Sequence, residues 1–344
     1  MESWIGDRLG RGCLVVLAVA VLFGAASFIP ATRVEARSQQ RCNGHAELCA
    51  RTLDEVALAG THNSMSYPAA GFAEVAQGRS IRQQLDAGIR AFLIDVYQGT
   101  PGASSVCTDP TLLKVAQLTR DLGKETVDSL IAVRNAEPCP APGSPTSDLY
   151  LCHDFCELGA SSLVDELGQF RSFLKENRGE IVVLVLEDYA DAASIAQAFN
   201  RAGLAKLTVT RPSGGKWPTL GKMVSTNKRL AVFSENQGGK PPWLLPAFRY
   251  FQDTPFDFAT TADFSCAPNR GPATAGLFLL NDWLSSPDAA STAVDVNSRA
   301  RLLERTRQCT VERGHIPNIV AVDFAESGDV VAAVDELNRA APTH

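Results

Sequence analysis

Two of the five histidines in this 344-residue sequence close apolar runs: His62 in "LAGTHNSMS" (58–66) and His153 in "LYLCHD" (149–154). Each is followed at once by a second polar group, Asn63 or Asp154. Further apolar runs end in the same manner, in Asp95, in Glu187 and Asp188, in Asn281 and Asp282, and in Asp323. One polar strand end means only that a loop begins. Six at corresponding positions argue for a shared polar pocket. Of two imidazoles, the neutral one can accept a proton while the charged one donates one. Amide and carboxylate oxygens are hard donors that suit calcium or magnesium rather than zinc. The chemistry expected is acid–base work, aided by a metal, on a substrate that develops negative charge on oxygen, such as a phosphodiester.

Strand ends can converge only if the strands share one rim. "EVALAG" (55–60) reads as a strand, and "SIRQQLDAG" (80–88) as a helix with Ser80 as N-cap and Gly88 as stop. Strands follow at 89–97, 149–154, 180–189, 229–235, 276–284 and 318–324, separated by amphipathic stretches such as "SSLVDELGQFRSFLKENRG" (161–179). "STAVDVNSRARLLERTRQC" reads as one helix and "DVVAAVDELNRAA" as the last. Nearly continuous apolar strands alternating with helices indicate a parallel sheet with helices outside it. Seven or eight such units favour a single α/β (β/α) TIM-type barrel, irregular in places, over an open sheet. The barrel is assigned to residues 37–344, with a Pro/Gly/Ser-rich loop insertion at about 100–148. In such barrels chemistry sits at the C-terminal strand ends, where the polar groups above lie.

The hydrophobic fraction of 45% suffices for one large core, and the net charge of −6 without a basic cluster excludes a nucleic-acid partner. Residues 1–36 carry Arg8 and Arg11, then the uncharged run "LVVLAVAVLFGAASFIP", then "VEA". This is the pattern of a signal peptide cleaved near Ala36, or of a membrane anchor if retained, and places the protein outside the cytoplasm. Eight cysteines follow it, an even number that favours disulfides in an exported chain. Proximity favours Cys42–Cys49 and Cys152–Cys156. Scattered cysteines without a CxxC pair argue against zinc.

The pieces "AGTHNSMS", "GIRAFLIDV", "LCHDFCELGA", "EIVVLVLEDY" and "PNIVAVDF", in this order, resemble the X-domain family of phosphatidylinositol-specific phospholipases C, or PLC-like phosphodiesterases. "CNGHAELC" and "FSCAPNRG" resemble its exported, cysteine-bearing branch. The resemblance implies a phosphodiesterase acting on a phosphoinositide or related lipid, in transient contact with a membrane surface. In the implied reaction a base removes the proton of the inositol 2-hydroxyl, which attacks phosphorus and expels diacylglycerol. Water can then open the cyclic phosphate. Carried over, His153 protonates the leaving oxygen, and His62 is the base or stabilises the phosphate charge. Asp323 ends the last strand, beside the first in a closed barrel, and can orient His62.

Calcium-dependent members use groups that match Asn63, Asp95 and Glu187, which are the implied Ca2+ ligands here. A further glutamate of that pattern is replaced by Leu93. Metal-independent members carry an arginine where this chain has Tyr97, which favours calcium. The departure at Leu93 keeps open a catalytically weak phosphoinositide- or phosphate-binding protein. A glycerophosphodiesterase-like or sphingomyelinase D-like activity is the other enzymatic alternative.

Overall fold

A computed structural model describes residues 40–340, apart from 110, 112–114, 137, 142, 212–214 and 287. The segment 1–36, read above as a signal or anchor, lies outside the described residues. Eleven strands are found among them: β1 (Leu58–Thr61), β2 (Ala91–Pro101), β3 (Val106–Thr108), β4 (Asp148–Leu151), β5 (Ser161–Ser162), β6 (Val182–Tyr189), β7 (Leu230–Ser234), β8 (Leu244–Pro246), β9 (Phe251–Asp253), β10 (Leu277–Asn281) and β11 (Ile319–Val322). The helices are α1 (Ile81–Asp86), α2 (Val115–Leu122), α3 (Lys124–Ala136), α4 (Leu163–Glu176), α5 (Ala192–Arg201), α6 (Leu220–Ser225), α7 (Ala247–Tyr250), α8 (Ala289–Val296), α9 (Arg299–Arg313) and α10 (Val330–Ala340).

Strands β8-β7-β6-β2-β1-β11-β10-β9 lie side by side in that order, each neighbouring pair parallel. The order follows the chain around a ring. β8 and β9, the strands at its two ends, are not paired with each other, so the (β/α) barrel stays open at one seam. Residues from all eight strands nonetheless pack one interior: Leu58, Ala91, Val183, Val185, Ala231, Phe233, Leu245, Phe251, Leu277, Leu279, Ile319 and Ala321 belong to one buried cluster. The residues between them, such as Phe92, Ile94, Leu184, Val232, Phe278 and Val320, form a second cluster with α4, α5, α9 and α10. Period-2 alternation thus sorts each strand into barrel-facing and helix-facing positions. Both faces are apolar, which is why the strands read as continuous apolar runs.

Local signals set the helix starts, at Ser80 as expected. Ser80 Oγ accepts from Gln83 N to start α1, Ser162 starts α4, and Asp191 accepts from Ala193 and Ser194 to start α5.

Four expectations are corrected. The strand carrying His153 is not a parallel barrel strand. β2 runs past the rim to Pro101, and β4 pairs with that extension antiparallel, from Val96↔Leu151 to Gly99↔Asp148. Its alternating burial, one face covered and one half-open, is the antiparallel pattern. The stretch 291–309 is not one helix: α8 ends at Val296 and α9 starts at Arg299. Between them buried Asn297 donates from Nδ2 to the carbonyls of Asp323 (2.6 Å) and Phe324 (3.2 Å). The insertion at about 100–148 is not only loop: it holds β3, α2 and α3. β8 and β9, three residues each, were not anticipated. Disulfides join Cys42–Cys49, Cys152–Cys156, Cys107–Cys139 and Cys266–Cys309. No helix among the described residues is long and apolar enough to cross a membrane.

Candidate active site

Barrel-facing parity continues one step beyond the apolar interior. On β1 the sequence Leu58, Gly60 leads to His62. On β2 Ala91, Leu93 leads to Asp95 and Tyr97. On β6 Val183, Val185 leads to Glu187 and Tyr189. On β7 Phe233 leads to Glu235, on β9 Phe251 leads to Asp253, on β10 Leu279 leads to Asn281, and on β11 Ala321 leads to Asp323. The polar strand ends therefore gather at the C-terminal mouth. Asp188 and Asp282 have the opposite parity and serve the scaffold. Asp188 accepts from Ser234 Oγ (2.8 Å) and Asn236 N (3.0 Å), and buried Asp282 pairs with buried Arg305.

His62 is held from several sides. Its backbone N–H donates to Val322 O (3.0 Å), its carbonyl accepts from Gln77 Nε2 (2.8 Å), and its Nδ1 lies 3.0 Å from Asp323 Oδ1. β1 can sit this close to β11 because Gly60 has no side chain: a Cβ there would lie 2.8 Å from Ile319 Cγ2. The imidazole stacks on Trp283, ring centroids 3.8 Å apart and 3° from parallel. A quarter of its side chain remains exposed.

Asp95 and Glu187 are register partners on parallel neighbours, and so are Tyr97 and Tyr189 two residues on. The two tyrosine rings stack at 4.3 Å. Tyr97 donates to Asp154 Oδ1 (3.0 Å), and Tyr189 donates to Glu187. Burial, and then the neighbouring charge of Glu187, pushes the Asp95 carboxyl well above the usual carboxylate range. Leu93 lies one layer deeper, opposite Val185, against the interior cluster, so it supplies no oxygen where the calcium-dependent pattern has a glutamate.

His153 enters from above, on the turn after β4, and 42% of its side chain is exposed. Its Nδ1 lies 3.8 Å from Glu74 and its Nε2 3.9 Å from Asp154. Burial of the ring opposes its charge, but the Glu74 contact and the charges of Asp95 and Asp154 outweigh it and raise the pKa to about 10. Water at the mouth screens part of that rise. The Cys152–Cys156 disulfide brackets this turn.

Five residues other than glycine have a left-handed backbone among the described residues, and three of them directly follow His62, His153 and Asp323. They are Asn63 (φ 41°), Asp154 (φ 59°) and Phe324 (φ 49°). Asn and Asp tolerate this region, whereas Phe is strained there. Phe324 is held by its N–H to Ala76 O (2.7 Å) and by Asn297. Sharp exits of this kind turn the chain off the strand at the positions that carry the polar groups.

Sequence reasoning missed Glu235, Asp253 and Arg270. Arg270 donates to Asp253 from its backbone N (2.6 Å) and Nε (2.9 Å), and pairs with Glu235 at 2.8 Å. Its guanidinium lies over Phe248 and Phe256, 4.3 and 4.9 Å from the ring centroids. Burial, with the charges of Glu187 and Asp253, pushes the Glu235 carboxyl up to about 8 although Arg270 opposes the rise. Asn281 donates to Thr254 O (2.7 Å), while its buried Oδ1 has no hydrogen-bond partner among the described residues. Glu235 closes the run 229–235 two residues after Phe233, so a parity count would have found it, whereas the three-residue β9 leaves no periodic signal for Asp253 and Arg270 lies on a loop.

The oxygen donors Asp95 and Glu187 fit a hard cation, since a like-charged carboxylate pair is what such an ion would relieve, whereas Asn63 stands one step off the inward parity of His62. Among the described residues, the cluster of three His, Cys, Asp or Glu ligand atoms within 4.8 Å of one another is Cys107, Cys139 and Glu157. Its sulfurs are joined in a disulfide and cannot ligate.

Comparison with known proteins gives this arrangement a context. The PI-PLC X 1 family profile matches residues 143–338. A PI-PLC X domain-containing protein 1 of Arthroderma benhamiae is 26% identical over 320 residues, covering 86% of this chain and 89% of that protein. An "Uncharacterized secreted protein" of the same fungus is 23% identical, over 86% of this chain and 62% of its own length. A PI-PLC X domain-containing protein of Arabidopsis thaliana is 27% identical over 56% of this chain and 49% of its own length. Among solved structures, the phosphatidylinositol-specific phospholipase C from Listeria monocytogenes aligns with a TM-score of 0.47 at 18% identity, over 84% of this chain and 94% of that one. With more than half of its length matched by the family profile, the chain belongs to the PI-PLC X family.

Proposed function

We propose that this protein is an exported phosphodiesterase that cleaves the head-group phosphodiester of a phosphoinositide or related phospholipid at a membrane surface. The observation that carries the reading is His62 oriented by Asp323 at 3.0 Å, at the mouth that also receives His153 among its carboxylates. His62, with Nδ1 committed to Asp323, has Nε2 free to take the proton of the attacking hydroxyl. The new phosphorus–oxygen bond then forms as the bond to the leaving oxygen breaks. His153, held protonated by Glu74, Asp95 and Asp154, is suited to give that oxygen its proton. Asn63, Asp95 and Glu187 would hold calcium, which supplies positive charge for the non-bridging phosphate oxygens. Four disulfides and the relative whose name calls it secreted support export.

The test is turnover of phosphatidylinositol vesicles with added calcium or with EGTA. His62→Ala and His153→Ala should each lower turnover by about 10² to 10⁴-fold. Near-normal turnover in either variant would refute the role given to that histidine, and activity unchanged by EGTA would remove calcium. One observation favours a second reading: Leu93, packed into the apolar interior, leaves the cation only two carboxylates. A binding protein would retain lipid on vesicles and turn over none.

A further inference from the structure

We propose that Trp283 is a positioning residue for His62, fixing the plane of the imidazole so that its free edge addresses the substrate. The inference rests on the phosphodiesterase reading above and adds a residue that the reading does not use. A hydrogen bond from Nδ1 to Asp323 fixes one ring atom but leaves the ring free to swing about the line through that contact. Swinging carries the opposite nitrogen, Nε2, out of line. A flat partner at 3.8 Å and 3° removes that freedom, because any rotation drives an edge of the imidazole into the indole. The two contacts together leave one orientation. They also cover one face of the imidazole, so approach is from the exposed edge.

The indole is itself held. Trp283 is buried, at 6% exposure, within the barrel-interior cluster. Its neighbour Asp282 is fixed by its N–H to Ala321 O (2.8 Å) and by the buried pair with Arg305. A residue whose only task was to fill space would not need a face parallel to a strand-end histidine. Trp283 touches no reacting atom in this scheme and acts through His62. Misplacement of a catalytic group by about 1 Å can cost about 10²-fold in rate.

The experiment uses the full chain, its histidines labelled with carbon-13 at Cε1, with Trp283→Leu and Trp283→Phe beside the wild type. In the wild type the His62 Cε1 proton, identified by its loss in His62→Ala, should resonate upfield of the other histidines through the indole ring current. Trp283→Leu should abolish that shift and lower kcat on phosphatidylinositol vesicles by about 10- to 100-fold, with KM little changed. Trp283→Phe, which restores an aromatic face, should recover most of the lost kcat, and it keeps the test open if the leucine variant melts. The proposal is overturned if the wild type shows no upfield histidine, if loss of the stack leaves kcat unchanged, if KM alone rises, or if Phe is no better than Leu. A wild type that turns over no phosphodiester refutes the enzymatic reading, and the proposal with it. A wild type that turns over while Trp283→Leu matches it refutes the proposal alone.

Discussion

Replacing Asp323 with alanine isolates what a carboxylate contributes to His62. The bond has an ordinary length, 3.0 Å, and Asp323 keeps only 13% of its side-chain surface exposed. Hydrogen bonds involving a charged partner contribute about 1.5–3 kcal/mol. As His62 takes up the substrate proton it becomes positive, so the bond to Asp323 strengthens at that moment and its loss falls on the transition state. At about 1.4 kcal/mol per tenfold in rate, Asp323→Ala should lower kcat about 10- to 150-fold. Asp323 is assigned no substrate contact, so KM should hold, and kcat and kcat/KM should fall together. Vesicle hydrolysis with full substrate titrations measures both constants, and a thermal melt shows whether the fold survives. A folded Asp323→Ala protein with wild-type kcat, or one that loses only in KM, would refute the orienting role. Asp323→Asn sharpens the test: an amide that donates to Nδ1 places the ring proton on Nε2, the wrong tautomer for a base, at a cost of up to about 10⁴-fold.

Three further outcomes are expected. The Asp95 carboxyl has its folded pKa raised above the unfolded value, so its contribution to stability is present at low pH and is lost as pH rises. Near neutral pH in EGTA, Asp95→Asn should therefore melt above the wild type, at about 2–4 °C per kcal/mol relieved; added calcium should raise only the wild type, and a wild-type melt indifferent to calcium counts against the cation. The stability contributed by charged His153 is fully present below about 6.5 and lost as pH rises through about 10, so Glu74→Gln should move its NMR titration midpoint downward; an unmoved midpoint would show that Glu74 does not support its charge. Arg305→Met strands Asp282, which is 2% exposed, and should cost about 3–5 kcal/mol in urea unfolding, whereas Asp282→Leu with Arg305→Met should recover much of it.

The fold was legible where its physics is local or periodic. Apolar runs of five to eight residues, with a cap such as Ser80, gave most of the barrel. What failed depends on partners distant in sequence. Three apolar residues at 149–151 cannot declare whether their neighbour runs parallel or antiparallel. Asn297 breaks a helix because it holds the Asp323 loop, a tertiary demand that local propensity does not carry. At the mouth, the strand-end list mixed two kinds of residue. His62, Asp95, Glu187, Asn281 and Asp323 share the parity of the barrel interior, while Asp188 and Asp282 lie one step off it and are spent on Ser234 and Arg305. Counting by twos back from each run would have separated them without coordinates.

Parity also fixes the charge balance on which the calcium proposal depends. The inward carboxylates are Asp95, Glu187, Glu235, Asp253 and Asp323, and Asp154 joins them from the β4 turn. Arg270 answers Glu235 and Asp253 together. His62 answers Asp323, and His153 lies beside Asp154 and Glu74. Asp95 and Glu187 remain, side by side in register, with hydrogen bonding from Tyr189 but no ion pair to a basic side chain among the described residues. A phosphodiester carries its own negative charge into this mouth. There the charges of His153 on Asp95 and of Arg270 on Glu187 offset only part of the repulsion, and Tyr97 stands where the metal-independent pattern has an arginine. The Asp95–Glu187 repulsion and the phosphate charge would be relieved by the same ion, so on the calcium proposal calcium and substrate should each strengthen the binding of the other.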